Sequence, residues 1–343
     1  MSLNYITRKI AYGLGKTFCK KDRELWLKVL YENERFKKRM FAQKRYTSRA
    51  SDKKAYNKRV VCIYDENVKS GGLADRLKGI ISMYELCKEL SIGFKILFTH
   101  PFNLTDFLIP NKINWNIKND ELNYNLKATD ICYISTLTGT VEEVAKQKAW
   151  FVKWFRNNKN EYHVRTNAHT FDKKNFAKNF DELFTIAPRL QCSIEIIKKE
   201  LGSNYISTSF RYLNLLGDFN ETFMKEALPP EEKKVLIEKN RRQIQELHNQ
   251  YPDKKILVNS DSTTFLREAS RLGYVYTIPG NITHIDGDNN TDEYTAYEKT
   301  FLDFFMIANA EKIFLFRTGK MYKSDYPGVA SLINGRPYEI IEF

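Results

Sequence analysis

No stretch of the 343 residues approaches the ~18 consecutive apolar residues of a membrane-spanning helix. The opening residues, MSLNYITRKIAYGLGK, hold no uninterrupted apolar segment, so a secretory signal is not expected. Cysteine is scarce: Cys19, Cys62, Cys87, Cys132 and Cys192 make an odd count, and no two form a CxxC pair. This argues against a disulfide framework and a structural zinc, and for reduced thiols in a cytoplasm. There is no internal repeat at the periods of solenoids or propellers. What is present is 42% hydrophobic and 14% aromatic, enough for a full core and too much for a disordered or collagenous chain. The length fits two domains at roughly 100–200 residues each.

The net charge of +13 is concentrated. Residues 1–60 hold 18 Lys/Arg against 5 Asp/Glu, so they carry all of it, while the other 283 residues hold 37 of each sign. A body without net charge is a poor nucleic-acid clamp, since phosphate neutralisation dominates such binding. The basic arm reads as two helices. Ile6, Ile10, Leu14 and Phe18 recur every four residues, and Leu25, Val29, Phe36 and Met40 continue a helical spacing among Arg35, Lys37, Lys38 and Arg39. Residues 43–59 lack periodicity and read as a linker. A basic amphipathic arm suggests contact with an anionic membrane surface through residues 1–45. The alternative is a solvated helical extension packed on the body, or a dimerisation element.

From Arg59 the pattern becomes α/β. VVCIYD (Val60–Asp65) is a buried strand, followed by a glycine turn, the helix LADRLKGIISMYELCKEL and the strand FKILFTH (Phe94–His100). Asp130–Thr138 is read as a further strand, residues 145–200 as mostly helical, and Pro188–Gly202 as a helix. A second α/β unit follows: strand NYISTSF, helix Pro229–Tyr251, strand Lys255–Asp261, helix Ser262–Leu272, strand YVYTIPG, helix Ala296–Ala310, strand KIFLFRTG, a short helix near Tyr326 and a closing YEIIEF. Two Rossmann-like halves in series give a GT-B-like architecture, with the halves expected to face a cleft.

Four strand-to-helix turns hold residues that suit chemistry, because ligands of open parallel sheets bind at the carboxyl ends of strands. Gly71 and Gly72 let backbone approach a ligand, with Asp75 in the first helical turn; alternatively the glycines serve turn geometry and Asp75 the helix dipole. Arg211 follows Ser209-Phe210 at a strand end, where its planar fork suits a diphosphate or an inter-domain ion pair. Asp261, between Ser260 and Ser262, is placed to reach a base or ribose, or to cap the next helix. Thr318 follows Phe316-Arg317, and Ser324 opens a helix whose amides suit phosphate. Asp286-Gly287-Asp288 mimics a metal-binding DxD but lies in a polar stretch and reads as a loop, so no metal is expected.

Together these islands resemble the superfamily of GDP-fucose-dependent fucosyltransferases. The glycine turn resembles its GGxGN/D-x-L segment, Ser209-Phe210-Arg211 lies where the family has His-x-Arg, and Ser260 through Ala269 is similar to its T-D-D-x-x-L-L-K-E-A segment. Ser324 through Ala330 is similar to its final S-x-x-x-x-x-A segment, which holds phosphates. The departures are Ser209 for the histidine, Ser262 for the second aspartate and Gly328 for a frequent arginine. The resemblance implies an inverting, metal-independent glycosyltransferase. It would move fucose from GDP-fucose to a saccharide, such as a lipid-linked glycan of a bacterial surface polysaccharide, in the cytoplasm or on the inner face of the plasma membrane. Residues 1–58 would be arm and linker, 59–190 the acceptor side and 191–343 the nucleotide-sugar side. Gly71, Gly72, Arg211, Ser260, Asp261, Thr318 and Ser324 would bind the donor, Arg211 would stabilise the leaving diphosphate, and Asp75 would be the base, with His100 second in line. No cofactor besides the donor is implied. The rival from another class is a non-catalytic nucleotide- or glycan-binding protein of the same fold.

Overall fold

The computed structural model describes residues 20–43, 45–53, 57–136, 139–219, 226–283, 285 and 294–343, with the side chains of the first helix described from Leu30 onward. The expected helix over Ile6–Phe18 and the Asp286–Asp288 segment lie outside the described residues. The chain divides into two compact units. Unit 1 comprises Met1–Ser70, Arg76–Phe98 and Trp115–Phe171; unit 2 comprises Gly71–Asp75, Thr99–Asn114 and Asp172–Phe343. Among the described residues no helix is long and apolar enough to cross a membrane.

In unit 1, β1 (Arg59–Tyr64), β2 (Gly93–Phe98), β4 (Thr129–Ile134) and β5 (Glu161–Thr166) form a parallel sheet in the order β2-β1-β5-β4. Helix α2 (Leu73–Leu90) links β1 to β2 and is buried along most of its length. Gly79 sits mid-helix, where glycine weakens a helix, because a Cβ there would lie 1.9 Å from the carbonyl oxygen of Thr166. Only a bare backbone lets α2 approach β5 this closely. Helix α3 (Val141–Phe155) is capped by Thr140, whose side chain accepts from the Glu143 amide.

Residues 145–200 are mostly helical as expected, with strand β5 an addition to that expectation. EYHVRT carries a charged or polar group at every second residue, yet all six residues are buried. Glu161 accepts from Arg59 Nε at 2.6 Å and from the Asn123 amide at 2.8 Å, and lies 2.6 Å from His163 Nε2. The other ring nitrogen of His163 is 2.6 Å from the Tyr46 hydroxyl. Burial pushes the Glu161 carboxyl up, but His163, the Asn123 amide and Arg59 outweigh it and hold the group below the usual carboxylate value.

The presumed linker is corrected. Helix α1 (Lys20–Ala42) lies on β4, where Phe36 and Met40 join Tyr46 and Ile131 in one buried cluster. Glu32 accepts from the amide and hydroxyl of Ser135, at 3.3 and 2.9 Å. Arg45 pairs with Asp65 at 3.0 Å, and Thr47 bridges to Asn125. Polar residues without periodicity thus dock through individual hydrogen bonds, which periodicity cannot report. Met40 is 1% exposed, so Met40→Ala should lower the unfolding free energy by about 2–5 kcal/mol. A denaturation midpoint equal to that of the parent would show that the arm's root contributes nothing to the body.

Unit 2 is a five-stranded parallel sheet of β7 (Tyr205–Phe210), β8 (Lys255–Ser260), β9 (Val275–Tyr276), β10 (Ile313–Arg317) and β11 (Tyr338–Glu342), in the order β11-β10-β7-β8-β9. Its helices are α5 (Pro188–Leu201), α6 (Pro230–Gln250), α7 (Thr263–Ala269), α8 (Tyr294–Asn309) and α9 (Tyr326–Ile333). The short strands β3 (Leu108–Pro110) and β6 (Phe184–Ile186) pair antiparallel beside α4 (Phe176–Leu183). Phe107 fastens residues 99–114 to this unit by stacking on Phe301 of α8, with ring centroids 4.1 Å apart. The order from β9 to β11 reverses direction between β7 and β10. In sheets of this kind that reversal is the switch point, and ligands bind there outside the carboxyl ends of the strands.

Candidate functional site

The sheet register lines up three of the singled-out turns. Phe210 pairs with Ser260 on β8 and with Phe316 on β10, so Arg211, Asp261 and Arg317-Thr318 leave neighbouring parallel strands at the same edge. Arg211 and Thr318 flank the switch point itself.

Asp261 is buried, and its two oxygens accept from the backbone amides of Tyr212 (2.8 Å) and Leu213 (2.7 Å). Arg211 Nη1 lies 3.3 Å from the same carboxylate, and the guanidinium sits 4.8 Å from the Phe219 ring centroid. Burial raises the Asp261 pKa above the usual aspartate value, and Arg211 and the two amides only partly offset it. Leu213 has φ +56°, an outlier for a bulky residue. Such backbone persists only where its surroundings over-determine it, and here the hydrogen bond that the Leu213 amide donates to Asp261 holds it. Asp261 therefore positions the loop that carries Arg211. Nothing in the sequence marks Leu213 for this role.

The next helix start is already occupied. Ser262 caps α7 by accepting from the Phe265 amide at 3.1 Å. Asp218 accepts from the Thr264 amide and the Ser262 hydroxyl, both at 2.8 Å. Burial pushes the Asp218 carboxyl up, but these donors outweigh it and hold the pKa below the usual value. With a carboxylate on its first turn, α7 offers little to a phosphate. Gly217, at φ +79°, makes the turn that delivers Asp218. Ser260 stays local, its hydroxyl accepting from the Ser262 amide at 3.1 Å.

Helix α9 differs. The Tyr322 amide donates to the Arg211 carbonyl at 2.9 Å, which fixes the approach to α9 beside Arg211. Ser324 accepts from the Tyr326 amide at 3.3 Å, and Asp325 at the N-cap makes no capping bond. Gly328 explains one departure from the family pattern. A Cβ there would stand 3.0 Å from the Tyr338 ring, so an arginine has no room unless Tyr338 moves. Ser209, which stands in place of the histidine, is buried in β7, and its hydroxyl has no hydrogen-bond partner among the described residues. Thr318 is tied to the chain end, donating to the Phe343 carbonyl and accepting from Lys239 Nζ at 2.8 Å.

Gly71 has φ +80°, and a Cβ on it would come within 2.7 Å of Asp75 Oδ2, so the turn wraps the Asp75 carboxylate. Nothing would crowd a Cβ at Gly72. Both glycines and Asp75 belong to unit 2, as do Arg211 and His100. The preceding loop, Asp65–Ser70, is organised from unit 1. Arg165, 0% exposed, pairs with Asp65 and donates to the Val68 carbonyl at 3.1 Å and the Ser70 hydroxyl at 3.4 Å. Burial lowers its pKa to about 9. No sequence signal marks Arg165, because β5 carries no apolar run. Among the described residues no group of three or more His, Cys, Asp or Glu side chains could hold a metal ion.

No protein-family model matches the chain, and no curated protein matches it. Solved structures do. The NodZ alpha-1,6-fucosyltransferase soaked with GDP-fucose matches with a TM-score of 0.53 and 12% identity, over 84% of this chain and 95% of that one. The fold is that of a fucosyltransferase. NodZ from Bradyrhizobium (selenomethionine form) matches at 0.51 and 12%, over 84% and 94% of the two chains. A point mutant of Arabidopsis thaliana FUT1 in complex with GDP matches at 0.50 and 12%, over 92% and 76%. The fucosyltransferase fold bears out the expected GT-B-like α/β class.

Proposed function

We propose that the chain is an inverting glycosyltransferase that moves fucose from GDP-fucose to a saccharide acceptor, without a metal. The observation that carries this is Arg211 at the switch point of the unit 2 sheet, clamped by Asp261 and joined through its carbonyl to the approach to α9. A fixed cation beside a helix N-terminus suits a diphosphate. The solved structures of similar fold include ones with GDP and GDP-fucose, which supports the choice of donor.

In the proposed reaction an acceptor oxygen forms a bond to the anomeric carbon as the bond to the diphosphate breaks. Asp75 takes the proton of the acceptor hydroxyl. Arg211 and the first-turn amides of α9 meet the charge that grows on the departing β-phosphate. Asp261 acts through Arg211, and Ser260, Thr318, Ser324 and the glycine turn complete the donor's surroundings. The acceptor is proposed to be a lipid-linked glycan in bacterial surface-polysaccharide synthesis. The protein would be cytoplasmic, and the basic arm would hold it at an anionic membrane surface.

A thermal-shift series with GDP, GDP-fucose, GDP-mannose and UDP-sugars tests the donor. GDP and GDP-fucose should raise the unfolding midpoint, and UDP-sugars should not. Transfer should persist in excess EDTA. Loss under EDTA with recovery in manganese would bring in Asp286 and Asp288, and binding of GDP-fucose without turnover would favour a non-catalytic binding protein.

A further inference from the structure

Helix α1 has two unlike faces. Phe36 and Met40 are buried against β4, and Glu32 holds Ser135, so the helix is fixed to unit 1 by its inner side. The opposite side leaves large apolar residues in solvent: Tyr31 is 58% exposed, Phe41 40% and Leu30 39%. At 100° per residue, Arg35, Lys38 and Arg39 share that outer half-turn, and all three are exposed. Glu34 is the one anion on this face among the described side chains. Most exposed apolar residues stand singly on a protein surface and need no explanation. Here three stand on one described helix face, mixed with three cations, in the arm that carries the whole net charge of the chain.

We propose that the outer face of α1 is a rigid docking surface for an anionic lipid bilayer, with the helix lying in the plane of the interface. Arg35, Lys38 and Arg39 meet headgroup phosphates and carboxylates, while Leu30, Tyr31 and Phe41 enter the boundary with the acyl chains. Charge complementarity selects this occupant. A protein groove would have to match both the cations and the apolar residues, whereas an anionic bilayer presents both kinds of partner along the whole helix. Because the inner face is packed on β4, α1 holds unit 1 in a set orientation and is not a loose tether. The inference rests on the membrane contact proposed above and is independent of the donor site.

Co-sedimentation of the full chain with vesicles tests it, using phosphatidylcholine alone or mixed with phosphatidylserine. Each cation near an anionic surface contributes roughly a fivefold gain in partitioning. Arg35→Gln/Lys38→Gln/Arg39→Gln should therefore lower binding to the mixed vesicles by about 10²-fold, with the unfolding midpoint unchanged because these side chains face solvent. Leu30→Ser/Tyr31→Ser/Phe41→Ser should remove the binding that survives high salt. Parent binding that both triple variants retain would move the contact to another segment and overturn the docking face. A parent chain that ignores anionic vesicles, or prefers a DNA duplex to them, would overturn the membrane contact as well. Neither outcome bears on the binding of GDP.

Discussion

Asp75→Asn is expected to lower turnover by about 10²–10⁴-fold, the usual contribution of a general base. Displacement with inversion needs a proton acceptor on the side of the sugar away from the leaving diphosphate. The glycine turn holds a carboxylate in the first turn of α2, and Gly71 is required there because any Cβ would strike Asp75. Asparagine keeps the shape and most of the local bonding but cannot take the proton. At the helix start the interaction of a charge with its dipole is lost, about 0.3–1 kcal/mol. GDP affinity and the unfolding midpoint should therefore barely move while turnover collapses. Normal turnover in the variant would show that Asp75 is not the base, and His100 would be the next residue to replace.

Asp261→Asn is expected to destabilise the fold and to weaken donor binding together. Removing one partner of a buried pair costs about 3–5 kcal/mol, and Arg211 retains some exposure, which places the expectation near 3 kcal/mol. The amide offers one acceptor to the Tyr212 and Leu213 amides where the carboxylate offers two. The strained Leu213 backbone then loses its restraint, and Arg211 its orientation. A merely structural Asp261 would change stability and leave the GDP affinity of the folded variant untouched. A positioning Asp261 predicts strong coupling, in which the Arg211→Ala/Asp261→Asn double variant binds GDP about as poorly as Arg211→Ala alone. Additive losses would separate the two residues.

The strands that build the two sheets are legible where they carry an unbroken apolar run. VVCIYD, KILVNSD and KIFLF form central parallel strands, buried on both faces, and such strands read as continuous hydrophobic runs. EYHVRT is just as buried, but it offsets the cost of its polar groups through partners distant in sequence, so it carried no apolar signature. The placement of residues 99–114 with unit 2 depends on ring stacking between Phe107 and Phe301, 194 positions apart, which no local pattern encodes. The same holds for residues 45–53, held by Tyr46, Arg45 and Thr47 one bond at a time. At the site, strand ends are where chemistry is expected, so Arg211, Asp261 and Ser324 stood out early. Their division of labour did not. That Asp261 clamps backbone, that Asp218 fills the start of α7, and that α9 is left beside Arg211 are facts of hydrogen bonding.

The central claim is that Arg211 at the switch point receives the donor diphosphate, and calorimetry of GDP with the parent chain and with Arg211→Ala tests it most directly. A hydrogen bond to a charged group contributes about 1.5–3 kcal/mol, so the variant should bind GDP roughly 10- to 10²-fold more weakly. Arg211→Lys should recover only part of the loss, because a point charge replaces the planar fork. Unchanged GDP affinity in a folded Arg211→Ala chain would contradict the account and remove Arg211 from the site.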